Sequence, residues 1–180
     1  MFEYQPTLNG GLISLRPARL DDWEGLFEVG RDPDVWASLP HLQLHLEEKF
    51  RAYFLDGLAS GGALVAATRD SERIIGWSRY SSQFVGRREM EVGWTFLGCA
   101  YWGGRYNGEM KHLMLAHAFL FVERVIFRIR ETNLRSRRAA EKIGAKQLPD
   151  RKVQGSDNAP PILFYAINRG ELAADHLLMA

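Results

Sequence analysis

The chain contains 180 residues, which is close to the length of one domain. Hydrophobic residues make up 46% of it and charged residues 25%, so a disordered chain and a collagen-like chain are excluded. The 23 Lys and Arg residues nearly balance the 22 Asp and Glu residues, and a net charge of +1 gives no general reason to expect a nucleic acid or a membrane surface as a partner. We therefore expect a single domain over residues 1–180.

Cysteine and histidine usage argues against disulfides and metal sites. The single cysteine, Cys99, excludes an intrachain disulfide and a cysteine-based zinc cluster, and it favours a reducing compartment. His41 and His45 are four residues apart but lack the acidic partner of a helical zinc motif. Residues 1–7 are too polar for a signal peptide, and no apolar run approaches the roughly 18 residues of a membrane span. These features predict a soluble, cytoplasmic protein without a metal.

The first half of the chain alternates between short strands and helices. Asp21 and Asp22 precede an apolar helical stripe, as acidic residues do at the start of a helix, and Gly30 marks its end. Apolar runs rich in β-branched and aromatic residues predict strands. The predicted elements are a strand at 12–15, helices at 21–30 and 45–58, and strands at 63–68, 74–80 and 89–97.

The second half begins with a long run at helical spacing. Farther along, Asn133 can cap a helix that Gly144 terminates. The predicted elements are a helix at 107–122, a strand at 125–129, a helix at 133–143 and a strand at 162–167, with a polar loop or hairpin connection at 150–159. Hairpins combined with strand–helix–strand crossovers predict an α/β (α+β) domain with a mixed sheet.

A glycine-rich turn joins the strand at 89–97 to the next helix. Residues 102–109 read Trp-Gly-Gly-Arg-Tyr-Asn-Gly-Glu. The first N–H groups of a helix lack intrahelical partners and lie at the positive end of the helix dipole, so such a turn can bind a phosphate. A tight loop that only reverses the chain is the alternative interpretation. The turn matches neither the P-loop nor the dinucleotide-binding fingerprint, which argues against ATP hydrolysis and dinucleotide redox chemistry.

The near-neutral net charge conceals two oppositely charged segments. Residues 20–34 contain six acidic residues and one Arg, whereas residues 128–142 contain six basic residues and two acidic ones. Each segment can be a solvated helix face. The functional interpretation places an anionic ligand near the basic segment and a cationic ligand near the acidic segment.

Four segments, in order along residues 12–167, resemble the GNAT superfamily of acetyl-CoA-dependent N-acetyltransferases, in the branch of the ribosomal-protein N-acetyltransferases. Leu-Ile-Ser-Leu-Arg-Pro at 12–17 resembles the first strand, and Glu-Val-Gly-Trp-Thr-Phe-Leu at 91–97 resembles the fourth. Residues 102–109 resemble the pyrophosphate loop. Asn-Leu-Arg-Ser at 133–136 with Glu-Lys-Ile-Gly at 141–144 resembles the Asn-x-x-Ser and Glu-Lys-x-Gly segment of this branch. The resemblance implies a mixed, mostly antiparallel central sheet flanked by about four helices.

The resemblance also implies acetyl-CoA as co-substrate, bound where two strands splay apart. Backbone groups of two strand residues would pair with pantetheine, the amides of the glycine-rich turn would hold the pyrophosphate, and residues of the following segment would contact the pantetheine arm, the sulfur and the nucleotide phosphates, the last through Arg138 or Arg135. The implied binding residues are Phe96, Leu97, Trp102, Gly103, Gly104, Arg105, Tyr106, Asn107, Asn133, Ser136 and Arg138.

The glycine-rich turn departs from the family pattern at two positions. The usual loop is Gln/Arg-x-x-Gly-x-Gly/Ala, whereas Arg105 occupies the central glycine position here and Asn107 the small final position. An arginine adds positive charge, but it adopts a positive φ only at a cost. We therefore expect the neighbouring Gly103 and Gly104 to supply the tight geometry.

Acetyl transfer to a primary amine, through a tetrahedral intermediate, needs a base, stabilisation of the oxyanion and a proton for the departing thiolate. Glu91 is the expected base, because the resemblance places its strand beside the thioester. Glu89, on the same face of that strand, is the weaker alternative. A backbone N–H near Leu97 would polarise the thioester carbonyl. Ser136 is the expected acid, and Tyr165 is its alternative.

The acceptor amine is left open between a protein N-terminus and a small molecule, and a homodimer is left open as well. Neither a nucleic acid nor a membrane is expected as a partner. Two other hypotheses remain. One is a non-catalytic acyl-CoA-binding sensor or scaffold of the same fold, which Arg105 and Asn107 motivate. The other is an RNA- or ribosome-associated module that uses the basic segment at 128–142.

Overall fold

A computed structural model describes residues 1–154 and 160–172 of the chain. The predicted helices and strands occur in the predicted order, and two further strands are present at Leu8–Asn9 and Lys146–Val153. The elements are β1 (Leu8–Asn9), β2 (Ile13–Pro17), α1 (Trp23–Gly30), α2 (Glu47–Ala59), β3 (Ala63–Thr68), β4 (Ile74–Ser81), β5 (Glu89–Leu97), α3 (Arg105–Ala118), β6 (Arg124–Arg130), α4 (Leu134–Lys142), β7 (Lys146–Val153) and β8 (Ile162–Asn168).

The eight strands form one sheet in the order β1-β2-β3-β4-β5-β6-β8-β7. Among the described strands, β5 and β6 pair in parallel and every other neighbouring pair is antiparallel. Helix α3 supplies the crossover that a parallel pair requires. The prediction of a mixed, mostly antiparallel sheet with four α-helices is confirmed.

The two faces of the sheet bury separate cores. Helices α3 and α4 cover one face, where Met110, Met114 and Ala140 pack on strand residues such as Val92 and Phe127. Helices α1 and α2 cover the other face, with an aromatic core. Residues of that second core include Leu26, Phe50, Phe54, Val65, Trp77 and Phe96. We refer to these sides as the α3–α4 face and the α1–α2 face.

Several predicted boundaries differ from those observed. Helix α3 runs over 105–118 rather than 107–122, because the chain after Ala118 tightens into i→i+3 turns such as Leu120 N to His117 O. Helix α2 begins at Glu47 rather than at residue 45. The sequence predicts a loop or hairpin connection at 150–159; residues 150–153 belong instead to β7, which forms an antiparallel hairpin with β8. This edge strand is mostly exposed and pairs irregularly with β8, so it shows no apolar alternation. Residues 155–159 lie outside the described residues.

A buried carboxylate fastens the first strands to α3. Glu109 accepts hydrogen bonds from the backbone N–H groups of Gly11 (2.8 Å), Leu12 (2.9 Å) and Ile13 (2.8 Å). The N–H groups of the turn between β1 and β2 thereby find partners without a strand ladder. The result is a fixed position for the start of α3 relative to the sheet.

Candidate active site

The sheet opens between β5 and β6. Strand β5 extends to Leu97, and its antiparallel pairing with β4 continues to that residue. Its parallel pairing with β6 ends much earlier, at Glu91 with Ile126. The two strands therefore diverge beyond this point, and one edge of β5 faces an opening that the sheet does not fill. A parallel pair that separates in this way leaves backbone donors and acceptors available to an extended ligand.

A β-bulge lies at the start of the opening. Trp94 has φ of +50°, which is rare for a residue with a side chain, and two residues of β5 face one residue of β4 at this point. The hydroxyl of Tyr53 in α2 donates to the Trp94 carbonyl at 2.8 Å and holds the bulge. A strained backbone conformation persists only where the surrounding structure holds it, and such conformations are frequent at functional sites.

Leu97 and Phe96 present their backbones to different sides of β5. The N–H of Gly98 donates to Ile75 O in β4 at 2.9 Å. Because backbone direction alternates along a strand, the groups of Leu97 point into the opening, and those of Phe96 point towards Trp77 in β4. The Leu97 carbonyl accepts from Trp102 Nε1 at 2.7 Å. Of the two residues predicted to pair with pantetheine, Leu97 thus directs its backbone to the opening.

The glycine-rich turn leads into α3 at the mouth of the opening. Gly103 has φ of +65° and Gly104 precedes the helix, so Arg105 enters as the first helical residue with a regular backbone. No side chain caps this helix start, and its first N–H groups are available to an anion. Arg105 is exposed, whereas Tyr106 and Asn107 are half-buried. The expectation that a neighbouring glycine supplies the tight geometry is met by Gly103.

Trp102 and Arg135 close the side of the opening. The Arg135 guanidinium lies 3.8 Å from the centroid of the Trp102 ring, and its Nη2 donates to Val35 O at 3.1 Å. The stacked pair connects the end of β5 to the start of α4 and to the turn before α2. Both Arg135 and Arg138 are exposed, and Arg135 is the one that contacts Trp102 at the opening.

Asn133 and Ser136 stand at the start of α4 on the α3–α4 face. Asn133 Oδ1 accepts from the backbone N–H of Ser136 at 3.1 Å, which is the predicted helix cap. Asn133 is buried and Ser136 is half-buried. Tyr165, the alternative acid, is fully buried in β8, where its hydroxyl accepts from Arg137 Nε (3.0 Å) and donates to Glu141 Oε1 (3.2 Å).

Glu91 lies on the α1–α2 face, at the last β5–β6 pair, and only 3% of it is exposed. Its Oε2 has no hydrogen-bond partner among the described residues, and Arg128 Nη1 lies 3.5 Å away. Burial raises the pKa of Glu91, and the Arg128 guanidinium opposes that shift only in part. A carboxylate whose Oε2 has an ion-pair contact but no hydrogen bond, and whose pKa is raised, is suited to accept a proton.

Glu89 has a different environment. Burial opposes its ionisation, but the N–H of Gly86 (2.8 Å) and the Arg151 guanidinium (3.0 Å) outweigh burial and lower the pKa of Glu89. Arg124 Nη1 also lies 3.4 Å from it. Its oxygens are thus occupied by ion pairs, and Glu91 is the better placed of the two candidate bases.

Two arginines at this site are absent from the sequence-based assignment. Arg79 in β4 is 6% exposed, donates to Asp56 Oδ2 at 2.7 Å and stacks on Trp94 at 4.0 Å. Arg128 in β6 stacks on Phe84 at 3.9 Å. In both cases the sequence shows a charged residue inside an apolar strand. Because a charged residue is buried only when it has partners, this pattern could have predicted a paired arginine there.

Lys111 in α3 is also absent from that assignment. Its ammonium donates to Thr95 Oγ1 at 2.6 Å and to Ser78 Oγ at 3.5 Å, and it lies 5.7 Å from the centroid of the Phe127 ring. Thr95 and Phe127 belong to the two diverging strands, so Lys111 lies beneath the opening on the α3–α4 face. Burial without a carboxylate among the described residues lowers the pKa of Lys111 to about 7.

A family model described as an acetyltransferase (GNAT) domain matches residues 13–146. The chain belongs to the GNAT acetyltransferase family. The enzyme class expected from the sequence, an acetyltransferase, is confirmed, and acetyl-CoA is the acyl donor that this family uses. No curated protein matches the chain by sequence.

Solved structures show the same fold at low sequence identity. A GCN5-related N-acetyltransferase from Brucella melitensis is 15% identical, with 93% of this chain and 80% of that chain covered and a TM-score of 0.78. A GNAT acetyltransferase from Bacillus anthracis is 19% identical, with 92% and 99% covered and a TM-score of 0.75. RimJ from Mycobacterium smegmatis, in complex with CoA-disulfide, is 17% identical, with 97% and 92% covered and a TM-score of 0.72.

The acidic segment of this GNAT protein lies beside the end of β5. Asp22 pairs with Arg16, whereas Glu28 and Asp32 border a cavity of about 330 Å³ next to Cys99. Burial and the neighbouring Asp32 raise the pKa of Cys99 to about 11, so its thiol stays protonated. This environment gives Cys99 no nucleophilic character.

The basic segment does not form one surface. Arg128 lies on the α1–α2 face beneath Phe84, Arg130 donates to Pro160 O, and Arg137 is bound to Tyr165 and to Glu131 O. Within residues 1–154 and 160–172, no three His, Cys, Asp or Glu side chains come together as metal ligands. None of the helices described is long and apolar enough to span a bilayer.

Proposed function

We propose that the chain transfers an acetyl group from acetyl-CoA to a primary amine at the opening between β5 and β6. The observation that carries the proposal is the opening that begins where the β5–β6 pairing ends at Glu91 and that has, at its mouth, a helix start that no side chain caps. A strand edge for an extended arm and a helix N-terminus for a phosphate are the two features that a CoA thioester requires.

The α3–α4 face would hold acetyl-CoA, which is a substrate here and supplies an activated acyl group. The N–H of Leu97 points into the opening and can pair with the pantetheine arm. The amides of residues 103–107 can hold the pyrophosphate, as helix-start N–H groups do. Asn133 uses Oδ1 for the α4 cap, which leaves its amide nitrogen to donate to the arm.

The amine would approach from the α1–α2 face, where Glu91 accepts its proton. Burial raises the pKa of Glu91 above that of an exposed glutamate, whereas Arg128 beside it favours the ionised carboxylate. The nitrogen then forms a bond to the thioester carbon, and the bond from carbon to sulfur breaks. A backbone N–H near Leu97 would stabilise the oxyanion between these two events.

The departing thiolate takes a proton on the α3–α4 face. Ser136 is half-buried at the start of α4 and borders the side on which the sulfur would lie. We assign it as the donor. Tyr165 is less suited because its hydroxyl already bonds to Glu141 inside the core.

A thiol-release assay tests the proposed function. Purified protein, acetyl-CoA and a panel of small amines and peptides should release CoA and the acetylated amine in equal amounts, and the Glu91→Gln variant should be much slower. Tight CoA binding without release for any amine would overturn the proposal and favour a non-catalytic acyl-CoA-binding protein.

A further inference from the structure

Lys111 occupies an unusual position for a lysine, between the two strands that diverge. It belongs to α3, and only 7% of it is exposed. Its Nζ lies 2.6 Å from Thr95 Oγ1 in β5 and 5.7 Å from the centroid of the Phe127 ring in β6. Both of these residues come after Glu91 and Ile126, the last pair of the two strands. The amine therefore lies at the base of the opening, on the face that the proposed function gives to acetyl-CoA.

The residue that holds this amine is itself accessible from the opening. Thr95 belongs to β5, an interior strand of the sheet, yet it is half-buried, whereas Phe96 and Leu97 after it are buried. The divergence of β6 leaves this edge of β5 without a strand partner, and an extended ligand can use such an edge. A thioester bound along the edge of β5 therefore passes within reach of Thr95 and of the amine bonded to it.

The hydrogen bonds around Nζ leave its lone pair free when the amine is neutral. Nζ lies 2.6 Å from Thr95 Oγ1 and 3.5 Å from Ser78 Oγ, and the two hydroxyl oxygens are 2.7 Å apart. Thr95 can donate its proton to Ser78, and Ser78 can donate to Gly93 O at 3.3 Å. Both hydroxyl oxygens then accept the two N–H groups of a neutral amine. The lone pair of the nitrogen is consequently left for a reaction.

Burial keeps a large fraction of this amine neutral. No carboxylate within residues 1–154 and 160–172 pairs with Lys111, and burial lowers its pKa to about 7. About half of it is therefore uncharged at pH 7, whereas fewer than about one in a thousand exposed lysines of ordinary pKa are uncharged. Only the neutral amine is a nucleophile. The other four lysines of the chain are exposed and are Lys49, Lys142, Lys146 and Lys152.

We infer that Lys111 is a self-acetylation site, at which the protein modifies its own side chain with the acetyl-CoA bound in the opening. This inference rests on the proposed function, because it needs the thioester beside Trp94, the residue before Thr95. Nζ forms a bond to the thioester carbonyl carbon, the bond from carbon to sulfur breaks, and the thiolate takes the proton that the nitrogen loses. The products are an amide at Lys111 and free CoA. The amide is uncharged, so the unfavourable burial of an ammonium disappears.

Mass spectrometry tests the inference without any acceptor amine. The purified protein is incubated at pH 7 with acetyl-CoA that carries deuterium in its acetyl group, and peptide mapping measures the acetylated fraction of each lysine. We expect Lys111 to be acetylated at least tenfold faster than any exposed lysine, such as Lys49. Lys111 already acetylated after purification, with the exposed lysines unmodified, would support the inference equally. Acetylation confined to the exposed lysines would overturn it.

Two controls show whether the acetyl group comes from the opening. An excess of CoA, which occupies the opening without an acyl group, should slow the acetylation of Lys111 tenfold or more and leave that of Lys49 unchanged. Acetyl phosphate, which has no pantetheine arm, should acetylate exposed lysines and spare Lys111. Equal sensitivity of Lys111 and Lys49 to CoA would overturn the inference.

Matched variants separate this inference from the proposed function. Lys111→Arg should remove the fast acetylation, and Lys49→Arg should retain it. If Lys111→Arg does not fold, the peptide map of the wild type and the CoA competition decide. Acetylation of added amines with Lys111 unmodified would overturn the inference and leave the proposed function intact. Acetylated Lys111 with no added amine acetylated would support the inference and contradict the proposed transfer to an acceptor amine.

Discussion

Lys111 donates a hydrogen bond of 2.6 Å to the hydroxyl of Thr95 in a core that, among the described residues, offers it no carboxylate. Only 7% of Lys111 is exposed. Burial of an ammonium without a counter-charge is unfavourable, and the protein responds by lowering the pKa of Lys111 to about 7. The base of the β5–β6 opening is consequently held by a lysine that changes charge near neutral pH.

Lys111 should make stability depend on pH between about 7 and 10. In this range the unfolded lysine is still protonated, whereas the folded one has lost its proton, so the unfolded state binds more protons and stability rises with pH. We expect a gain of roughly 2 kcal/mol from pH 7 to pH 9 in urea unfolding of the wild type. Lys111→Met should remove this slope. Lys49→Met, at an exposed position of α2, should retain it, and an unchanged slope in Lys111→Met would refute the assignment.

Removal of the Glu91 carboxylate should abolish most of the activity. Glu91→Gln keeps the shape of the side chain but cannot accept the ammonium proton, so kcat should fall by about 10² or more. Because burial raises the pKa of Glu91, the acid limb of the wild-type pH–rate profile should lie above the range of an ordinary glutamate.

The matched control for that substitution is Glu89→Gln on the same strand. The Glu89 carboxylate already accepts from the Gly86 N–H and pairs with Arg151. The Glu89→Gln variant should therefore lose no more than about threefold in kcat. A large loss in Glu89→Gln with a small one in Glu91→Gln would reverse the assignment of the base.

Two glycines around the start of α3 should respond to alanine in opposite ways. A Cβ at Gly103 or at Gly108 meets nothing within 4 Å, so packing does not distinguish them. Gly103 has φ of +65°, where alanine is strained by about 1 kcal/mol, whereas Gly108 is helical and alanine should stabilise it by about 0.5–1 kcal/mol. Urea unfolding at one pH measures both. A stabilising Gly103→Ala would contradict the left-handed turn.

Glu109 should be the carboxylate on which the N-terminal strands depend. Glu109→Ala removes the acceptor of three backbone N–H groups and should cost about 3 kcal/mol or more in the free energy of unfolding. Glu47→Ala breaks only an exposed pair with Arg51 and should cost less than about 0.5 kcal/mol. Similar costs for the two variants would show that water replaces Glu109.

The predictable part of the fold was the part with a periodic signal. Strands β3 to β6 and helix α4 follow apolar runs, caps and terminal glycines that act locally, and the structure places them at the predicted positions within a few residues. Strand β7 was not predicted, because an exposed edge strand needs no alternation of apolar residues.

The site was predictable only in outline. The glycine-rich turn, Asn133 and Glu91 carry local or family patterns that can be read from the chain. The divergence of β5 from β6, the positive φ of Trp94 and the approach of Arg128 to Glu91 depend on register between strands, which no local pattern encodes. Lys111 belongs to the same group, because a lysine within a helical run is usually an exposed residue.

A crystal structure of the protein with acetyl-CoA tests the central claim most directly. We predict electron density for the pantetheine arm between β5 and β6, hydrogen-bonded to the backbone of Leu97, with the thioester beside the Trp94 bulge and the pyrophosphate at the start of α3. Acetyl-CoA bound elsewhere on the chain, with the opening between β5 and β6 vacant in saturated crystals, would contradict the account.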